Sequence, residues 1–349
     1  MTASQDYIPS KPITQEALGQ SEAFLDFQEQ LSRVAPIDRP VLLLGERGTG
    51  KELAATRLHF LSRRWQGPFV TLNCSSLAPS LVEAELFGHE KGAFTGADKR
   101  RTGRFEAAHN GTLFLDEIGA IPMEAQAKIL RVVEYGSFER VGSSAPIEVD
   151  VRIISATNAD LSRQCETGRF KPDLLDRLSF EVLFLPPLRN RTGDILLLAN
   201  HFAQRMAHEL GRDTLPAFST EASRALETHP WHGNVRELKN VVERAVYRSR
   251  DRAVKNIVFN PFVSPYGEPA APGGPDRDPV QPGRPRETGE EFPDFTAMPL
   301  KSAVATLERL LVRRALSHSR HNQRRAADRL GLSHDQLRGI MRKHGKERL

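Results

Sequence analysis

The sequence predicts an α/β domain with a parallel sheet, a helical second subdomain and a small all-helical domain at the C-terminus. Three observations lead to this expectation. Apolar, β-rich runs alternate with helical segments as far as Pro186 and Pro187, which is the pattern of a parallel α/β sheet. The pattern then becomes helical. Residues 262–293 are rich in proline and glycine and are predicted to be a linker before a basic C-terminal end.

Length and composition agree with several folded domains. The chain has 349 residues, of which 39% are apolar and 27% charged, so global disorder is excluded. No apolar run approaches the about 20 residues of a membrane span, and the N-terminus lacks a secretory signal, so a cytoplasmic protein without membrane insertion is expected. The two cysteines, Cys74 and Cys165, are expected to be reduced thiols that serve packing.

Four apolar runs are the predicted strands, at residues 39–45, 69–72, 112–115 and 149–156. A helix is expected to begin at Lys51, directly after a glycine-rich turn. Three further helices are expected at residues 195–210, 220–227 and 235–249, and these would form the second subdomain.

The glycine-rich turn matches the phosphate-binding pattern GxxxxGK. Its glycines let backbone N–H groups surround phosphate oxygens, and the lysine neutralises their charge. A structural glycine turn is the alternative. A glutamate stands where a Ser or Thr ligand of Mg²⁺ is usual, so water or another group must take that place. The predicted ATP-binding residues are Gly45, Glu46, Arg47, Gly48, Thr49, Gly50, Lys51 and Glu52.

Polar residues at strand ends supply the rest of a hydrolytic site. Asp116 is predicted to hold Mg²⁺ through water, and Glu117 to orient the attacking water; a solvated acidic strand end is the alternative. Asn73 and Asn158 also follow predicted strands, although either could be a turn residue. Arg177 is expected to face the nucleotide of a neighbouring subunit.

Residues 92–97 point to a family. They read Gly92, Ala93, Phe94, Thr95, Gly96 and Ala97, and this GAFTGA sequence resembles the signature of the bacterial sigma-54-dependent activators, a branch of the AAA+ ATPases. The resemblance extends over about residues 13–250 and into the C-terminal domain. Within the family the chain is most similar to activators of phage-shock operons. The family resemblance implies an AAA+ P-loop ATPase with an α-helical lid, which uses ATP and Mg²⁺.

The resemblance also implies roles for single residues. Asn73 is similar to the asparagine that restrains the catalytic glutamate, and Asn158 lies at sensor I. Arg236, in Gly-Asn-Val-Arg, is similar to sensor II, and Arg177 to the arginine finger that acts across subunits. Lys171 stands where the family often has a second arginine, and lysine lacks the bidentate fork. Because the arginine finger acts across a subunit interface, a homo-oligomer, hexameric when active, is expected.

The GAFTGA loop has glycines as hinges and one aromatic side chain that could dock into an apolar pocket. In the family its partner is the sigma-54 RNA polymerase holoenzyme. An ordinary surface turn with a packed phenylalanine is the alternative. Glu139 and Arg140 lie in a second loop that resembles the one assisting this contact.

The C-terminal end carries a net positive charge. Residues 300–349 hold 13 lysines and arginines against 4 aspartates and glutamates, which is typical of a nucleic-acid-binding segment. The segment is predicted to form helix, glycine turn and helix, and it resembles the Fis-type helix-turn-helix that binds enhancer DNA. Helices used only for dimerisation are the alternative. The predicted DNA-binding residues are Arg324, Arg325, His334, Asp335, Arg338 and Arg342, with Lys343 at phosphates.

The expected organisation is a tail at residues 1–12, the α/β ATPase at 13–188, the lid at 189–260, the linker at 261–296 and the helix-turn-helix domain at 297–349. Because only a dozen residues precede the ATPase, control in trans by a repressor of the phage-shock type is expected. Trp65 is a candidate contact for that repressor, although a buried structural role is equally open.

Two other functions are weighed against that of an activator. An AAA+ replication initiator or helicase loader with a DNA-binding tail is one, and the GAFTGA loop argues against it. A DNA-binding repressor with a vestigial ATP site is the other, and the intact Lys51, Asp116, Glu117 and Arg177 argue against that.

Overall fold

A computed structural model describes residues 17–94, 96–212, 214–249, 253–262, 299–319 and 322–344. These residues form two compact units, which are treated separately: one up to residue 262 and one from residue 299. The predicted N-terminal tail, nearly all of the predicted linker and Thr95 lie outside the described residues. No helix within the described ranges is long and apolar enough to cross a membrane.

A five-stranded parallel sheet forms the centre of the first unit. Its order is β2-β3-β6-β1-β7. The strands are β1 (Val41–Leu44), β2 (Phe69–Asn73), β3 (Gly111–Asp116), β6 (Val151–Thr157) and β7 (Glu181–Phe184). The predicted parallel sheet is confirmed. The sequence pattern did not predict β7. This strand is short and lies at the edge of the sheet, and its Phe184 is exposed, so it lacks the continuous apolar run of a buried strand.

Helices cover both faces of the sheet. They are α1 (Glu22–Val34), α2 (Lys51–Phe60), α3 (Pro79–Phe87), α4 (Arg104–Ala107), α5 (Met123–Tyr135), α6 (Leu161–Glu166) and α7 (Pro172–Leu178). Successive strand residues alternate between two apolar clusters. Leu113 and Leu115 pack in one cluster, whereas Phe114 between them packs in the other. Burial on both faces explains why the central strands read as continuous apolar runs.

A short antiparallel pair follows α5. It consists of β4 (Ser137–Glu139) and β5 (Pro146–Glu148), neither of which the sequence pattern predicted. Strands of three residues are too short to show the alternation of apolar and polar residues by which a strand is recognised in a sequence. Phe138 from β4 is buried in the core, and the turn between the strands carries Gly142 with φ 81°.

The second subdomain contains α8 (Asp194–Glu209), α9 (Thr220–Thr228) and α10 (Asn234–Arg248). The prediction that it is entirely helical is wrong in one detail, because β8 (Ala217–Phe218) pairs with β9 (Ala253–Val254). Trp231 is fully buried in its apolar core and donates from Nε1 to the carbonyl of Leu226 at 2.8 Å.

The second unit consists of α11 (Leu300–His318), α12 (Gln323–Arg329) and α13 (His334–His344). Leu337 is fully buried in its core, with Ile340 and Met341 packed against it, as the sequence predicts for the apolar face of α13. Gly331 has φ 67° in the turn between α12 and α13. The Ser333 hydroxyl accepts from the Gln336 N–H at 3.2 Å, while the Gln336 side chain accepts from the Ser333 N–H at 2.8 Å. This capping box begins α13 as expected.

Candidate functional site

A cavity of about 850 Å³ lies at the carboxyl ends of the sheet strands, with the helical subdomain on its other side. Ligands bind at this edge in open α/β sheets. The cavity is lined by the glycine-rich turn, by residues that end β2, β3 and β6, and by α8 and α10.

The glycine-rich turn has the geometry of a phosphate cradle. Gly48 and Gly50 have φ 83° and 103°, which side chains rarely adopt, and Gly50 directly precedes α2. The free N–H groups and dipole at this helix N-terminus favour an anion. Arg47 and Glu52 also line the cavity, and the Thr49 hydroxyl donates to the Glu46 carbonyl at 2.9 Å. The turn therefore fits a nucleotide polyphosphate.

Lys51 places its ammonium group inside this cradle. Nζ donates to the carbonyls of Gly45 at 2.9 Å and Glu46 at 3.3 Å, and it lies 4.0 Å from a carboxylate oxygen of Glu117. Burial lowers the pKa of Lys51, and the charges of Glu117 and Asp116 oppose that shift. A buried cation next to open N–H groups is suited to the charge of a β- or γ-phosphate.

The carboxylates of Asp116 and Glu117 lie at the end of β3. Glu117 has φ 53°, an uncommon conformation for a residue with a side chain, and its N–H donates to Asp116 Oδ1 at 3.0 Å. Asn73 ends the adjacent strand β2. Its Nδ2 donates to Asp116 Oδ2 at 3.1 Å, and its Oδ1 accepts from Ser75. The resemblance pairs this asparagine with the catalytic glutamate, but in this structure it restrains the neighbouring aspartate.

These residues fit a hydrated Mg²⁺ ion rather than a protein-enclosed one. In the described part of the chain, no group of three His, Cys, Asp or Glu residues could hold a metal ion. Mg²⁺ keeps several waters and uses one or two carboxylates together with substrate phosphates, and the Asp116 carboxylate meets that need.

Asn158 and Arg236 reach the cavity from opposite sides. Asn158 follows β6 directly and is exposed, and Arg236 extends from the first turn of α10. The structure thus brings P-loop residues 47–52, both carboxylates, both asparagines and Arg236 to one cavity, whereas Gly45 and Glu46 do not line it.

Arg177 lies away from this cavity. It belongs to α7, its side chain is 60% exposed, and its Nε donates to Glu134 at 3.1 Å. It lines a separate depression of about 390 Å³ near Phe180 and Arg64. Lys171 precedes α7, where its N–H donates to the Gln126 side chain at 2.8 Å. Arg177 therefore does not line the cavity of its own chain.

Sequence reasoning missed Arg189 and Asn234, which contact the glycine-rich turn. Both bond to the carboxylate of Glu46. Asn234 could have been found from the sequence, because it lies in the motif Gly-Asn-Val-Arg, two residues before Arg236. No local pattern distinguishes Arg189 from the other arginines of the chain.

The GAFTGA loop forms a tight turn beyond α3. The Gly92 N–H donates to the Ala97 carbonyl at 2.8 Å, and the Ala97 N–H donates to the Phe94 carbonyl at 3.0 Å. Phe94 is 41% exposed and meets the ring of His89 edge-on at 4.9 Å. Gly92 and Gly96 have φ 83° and 96°, which side chains rarely adopt.

The second loop lies against the base of the GAFTGA loop. Arg140 donates to Glu106 from Nε at 2.9 Å and to Glu90 from a terminal nitrogen at 3.0 Å. A Cβ atom on Gly142 would lie 2.7 Å from Cβ of Ala93. Glu139 ends β4 and is exposed. The two loops therefore form one surface.

The predicted DNA-contacting residues lie mostly at the surface of the second unit. Exposed residues are Arg324, Arg325, Asp335, Arg338 and Arg342, and His334 is half-buried. Lys343, predicted to contact phosphates, is exposed, and its Nζ pairs with Glu308 of α11 at 3.0 Å.

Comparison with known proteins agrees with this geometry. A model of the sigma-54 interaction domain matches residues 17–183, and a model of the AAA+ ATPase lid domain matches residues 189–265. The Psp operon transcriptional activator of Escherichia coli (strain K12) is 47% identical over 334 residues, which are 94% of this chain and 97% of that protein. The transcriptional regulator NtrC of Rhizobium meliloti (strain 1021) is 42% identical over 98% of this chain and 71% of its own.

Solved structures show the same relationship. NtrX from Brucella abortus in complex with ATP superposes with a TM-score of 0.63 at 32% identity, covering 96% of this chain and 70% of that one. The complex of NtrX with ADP superposes equally well, over 94% of this chain. The cavity with its P-loop and paired carboxylates, the GAFTGA loop and these relatives lead to one conclusion: the chain belongs to the sigma-54-dependent transcription activators of the AAA+ class.

Proposed function

We propose that this protein hydrolyses ATP and uses the energy to convert the closed complex of sigma-54 RNA polymerase into the open complex, while it is bound to enhancer DNA. The observation that carries this proposal is the combination of a phosphate cradle and the exposed GAFTGA loop in one compact unit. Its similarity to the Psp operon transcriptional activator makes a phage-shock operon the proposed target.

The residues of the cavity divide the chemistry among them. The P-loop N–H groups and Lys51 bind and orient the β- and γ-phosphates of the substrate ATP. Glu117 orients the attacking water and polarises it, while Asn158 and Arg236 lie where they can contact the γ-phosphate. That relatives are solved with ATP and ADP supports this assignment.

Asp116 would hold Mg²⁺ through water, assisted by its hydrogen bond from Asn73. When bound, Mg²⁺ neutralises charge that develops on the phosphate oxygens. Glu52 lies in the first turn of α2 where a hydroxyl ligand is usual, so water or another group would take that place around a bound Mg²⁺.

The active assembly is proposed to be a hexameric ring. Arg177 is exposed and remote from the cavity of its own chain, so it can stabilise the transition state only in a neighbouring subunit. A ring provides that neighbour for every subunit.

The second unit is proposed to be a Fis-type helix-turn-helix domain that binds enhancer DNA. Its α13 presents Asp335, Arg338 and Arg342 on the side opposite the buried Leu337, as a recognition helix requires. Arg324 and Arg325, at the start of α12, would contact phosphates.

Control is proposed to come from a separate repressor of the phage-shock type. Trp65 is 54% exposed, and Phe60 and Leu61 at the end of α2 are exposed as well, which supports an apolar contact in this region. If purified repressor inhibited a Trp65→Ala variant as strongly as the unchanged protein, this surface would be the wrong one.

The decisive experiment is permanganate footprinting of a sigma-54 promoter with the purified protein, sigma-54 polymerase, and ATP added or withheld. Promoter melting only with ATP is the expected result. ATP hydrolysis without melting would contradict the proposal, and an assay of ATP-dependent helicase loading would then test the alternative function. Family membership does not favour that alternative.

A further inference from the structure

The P-loop contains a carboxylate within the turn that is predicted to bind an anion. Glu46 lies between Gly45 and Arg47, and a negative charge there would repel bound phosphates. The structure pairs this charge with Arg189, which lies in the turn after β7. One terminal nitrogen of Arg189 donates to Glu46 Oε2 at 2.8 Å, and the other donates to Oε1. This bidentate contact holds the Glu46 carboxylate against the guanidinium of Arg189.

Asn234 ties the same carboxylate to the lid. Its side chain is fully buried, and its Nδ2 donates to Glu46 Oε2 at 3.0 Å and to the Arg47 carbonyl at 3.1 Å. Its Oδ1 accepts from the Leu188 N–H at 2.8 Å. One amide therefore joins the P-loop, the turn that leads into the lid, and the first residue of α10.

The backbone approaches closely at the same place. A Cβ atom on Gly48 would lie 2.3 Å from the Gly233 carbonyl oxygen and 3.1 Å from Cβ of Arg236. Asn234 has φ 52°, a conformation that side chains rarely adopt, so the surrounding contacts hold it there. The P-loop backbone therefore packs directly against the residues that begin α10.

We infer that Glu46, Arg189 and Asn234 form a P-loop clamp, which neutralises the P-loop carboxylate and couples phosphate binding in the P-loop to the position of the lid. The three are positioning residues, because they act through the P-loop and through Arg236, which follows Asn234 by two residues. The inference rests on the proposed nucleotide site and adds how that site communicates with the lid.

Nucleotide affinity tests the neutralisation. Fluorescent MgADP is titrated into the full-length protein and its variants. Arg189→Gln leaves Glu46 without its cation near the phosphates, so a dissociation constant raised by about fivefold or more is expected. The double variant Glu46→Gln/Arg189→Gln should recover most of the affinity that Arg189→Gln loses, because the carboxylate is then removed together with its cation. The matched control is Arg205→Gln, because Arg205 pairs with Glu209 on the exposed side of α8.

Comparing MgADP affinity between Arg189→Gln and the double variant distinguishes charge neutralisation from a purely structural contact. If Arg189→Gln bound MgADP as well as the unchanged protein, or if the double variant stayed as weak as Arg189→Gln, neutralisation would be refuted. Arg189 and Glu46 are both about two-fifths exposed, so these variants are expected to fold.

Hydrogen exchange tests the coupling to the lid. The Leu188 N–H should exchange faster in Asn234→Ala, because its acceptor is lost. Added MgADP should slow exchange around Leu188 in the unchanged protein and much less in Asn234→Ala or Arg189→Gln. Equal protection in all three proteins would overturn the coupling.

The two proposals fail in different ways. Absence of MgADP binding by the unchanged protein would refute the nucleotide site itself. The exchange rate of the Leu188 N–H without nucleotide would still report whether Asn234 joins the P-loop to the lid.

Discussion

Asp194, a fully buried carboxylate, joins the segment before α1 to the start of the lid. It accepts hydrogen bonds from the Gln20 and Ser21 backbone at 2.7 and 3.0 Å and from Arg191 Nε at 2.8 Å. Burial raises the pKa of Asp194, but these bonds outweigh burial and hold it below its ordinary value. The guanidinium of Arg191 also lies 4.1 Å from the Phe24 ring centroid.

Asp194→Ala is expected to lower the free energy of unfolding by about 3–5 kcal/mol, because it leaves Arg191 buried without its anion. Urea unfolding measures this. Glu209→Ala on the same helix is the control, since its pair with Arg205 is exposed and is worth at most about 1 kcal/mol. Similar losses for the two variants would contradict the role of burial.

His59 gives the first unit a predictable pH dependence. It is 2% exposed, its Nδ1 lies 2.9 Å from the Thr112 hydroxyl, and its ring stacks on Phe69. Burial, followed by the charge of Arg152, lowers its pKa from 6.5, and a backbone bond with Trp65 opposes the shift. The folded protein therefore keeps His59 neutral where the unfolded chain protonates it.

Because the unfolded chain binds the extra proton, stability should fall as the pH drops below 6.5 towards the lower folded pKa. His59→Gln should show a shallower slope between about pH 7 and 5 in urea unfolding. Some slope should remain, because burial also lowers the pKa of His229 in the lid. An unchanged slope would exclude His59 as its source.

At the scale of elements, the contact between the two loops depends on Gly142. It has φ 81°, and a Cβ atom there would overlap Ala93 of the GAFTGA loop. The turn between β4 and β5 can therefore lie against that loop only while position 142 lacks a side chain.

Gly142→Ala is expected to impair ATP-dependent promoter melting while MgADP binding is retained, because the P-loop is not touched. Gly211→Ala is the matched control, since Gly211 also has positive φ but meets nothing within 4 Å. If Gly142→Ala melted the promoter as well as Gly211→Ala, the loop contact would not be needed for melting.

The helix α13 carries the prediction for DNA. Arg338 is exposed, whereas the neighbouring Leu337 is buried in the core of the second unit. Arg338→Ala should weaken binding to the specific site by about 1–3 kcal/mol if this side chain reads a base. Electrophoretic mobility shifts at fixed salt measure it, with non-specific DNA as comparison. An equal loss on both DNAs would instead indicate a phosphate contact.

At the scale of the whole molecule, the separation of Arg177 from the cavity predicts complementation between subunits. Lys51→Ala lacks the phosphate lysine, and Arg177→Ala lacks the finger for the next subunit. Each variant alone should have lost ATP turnover. Mixed in equal amounts, they should recover part of it, because some interfaces then join an intact P-loop to an intact Arg177.

The ATPase rate of the mixture against that of each variant alone is the measurement. A mixture of Lys51→Ala with Asp116→Ala is the control, since both changes fall in the same cavity. No recovery in the first mixture would mean that Arg177 acts within its own chain or does not take part.

The sequence by itself determined much of the site. The P-loop, the two carboxylates at the end of β3 and the GAFTGA loop each consist of residues that are adjacent in the sequence. Local residue types and spacing were therefore sufficient to predict them. Buried central strands were also predictable, because burial on both faces leaves unbroken apolar runs. The two cysteines were predicted to be reduced thiols, and both are free in the structure. Burial raises the pKa of Cys74 to about 12.

Only the tertiary structure decided which distant residues meet. Asn73 bonds to Asp116 because β2 and β3 pair in register, and Lys343 meets Glu308 because α13 packs on α11. Arg189 reaches Glu46 across more than a hundred residues of chain because β7 pairs with β1 and brings the following turn beside the P-loop. Such pairings depend on strand order and crossovers, which no local pattern of residue types encodes.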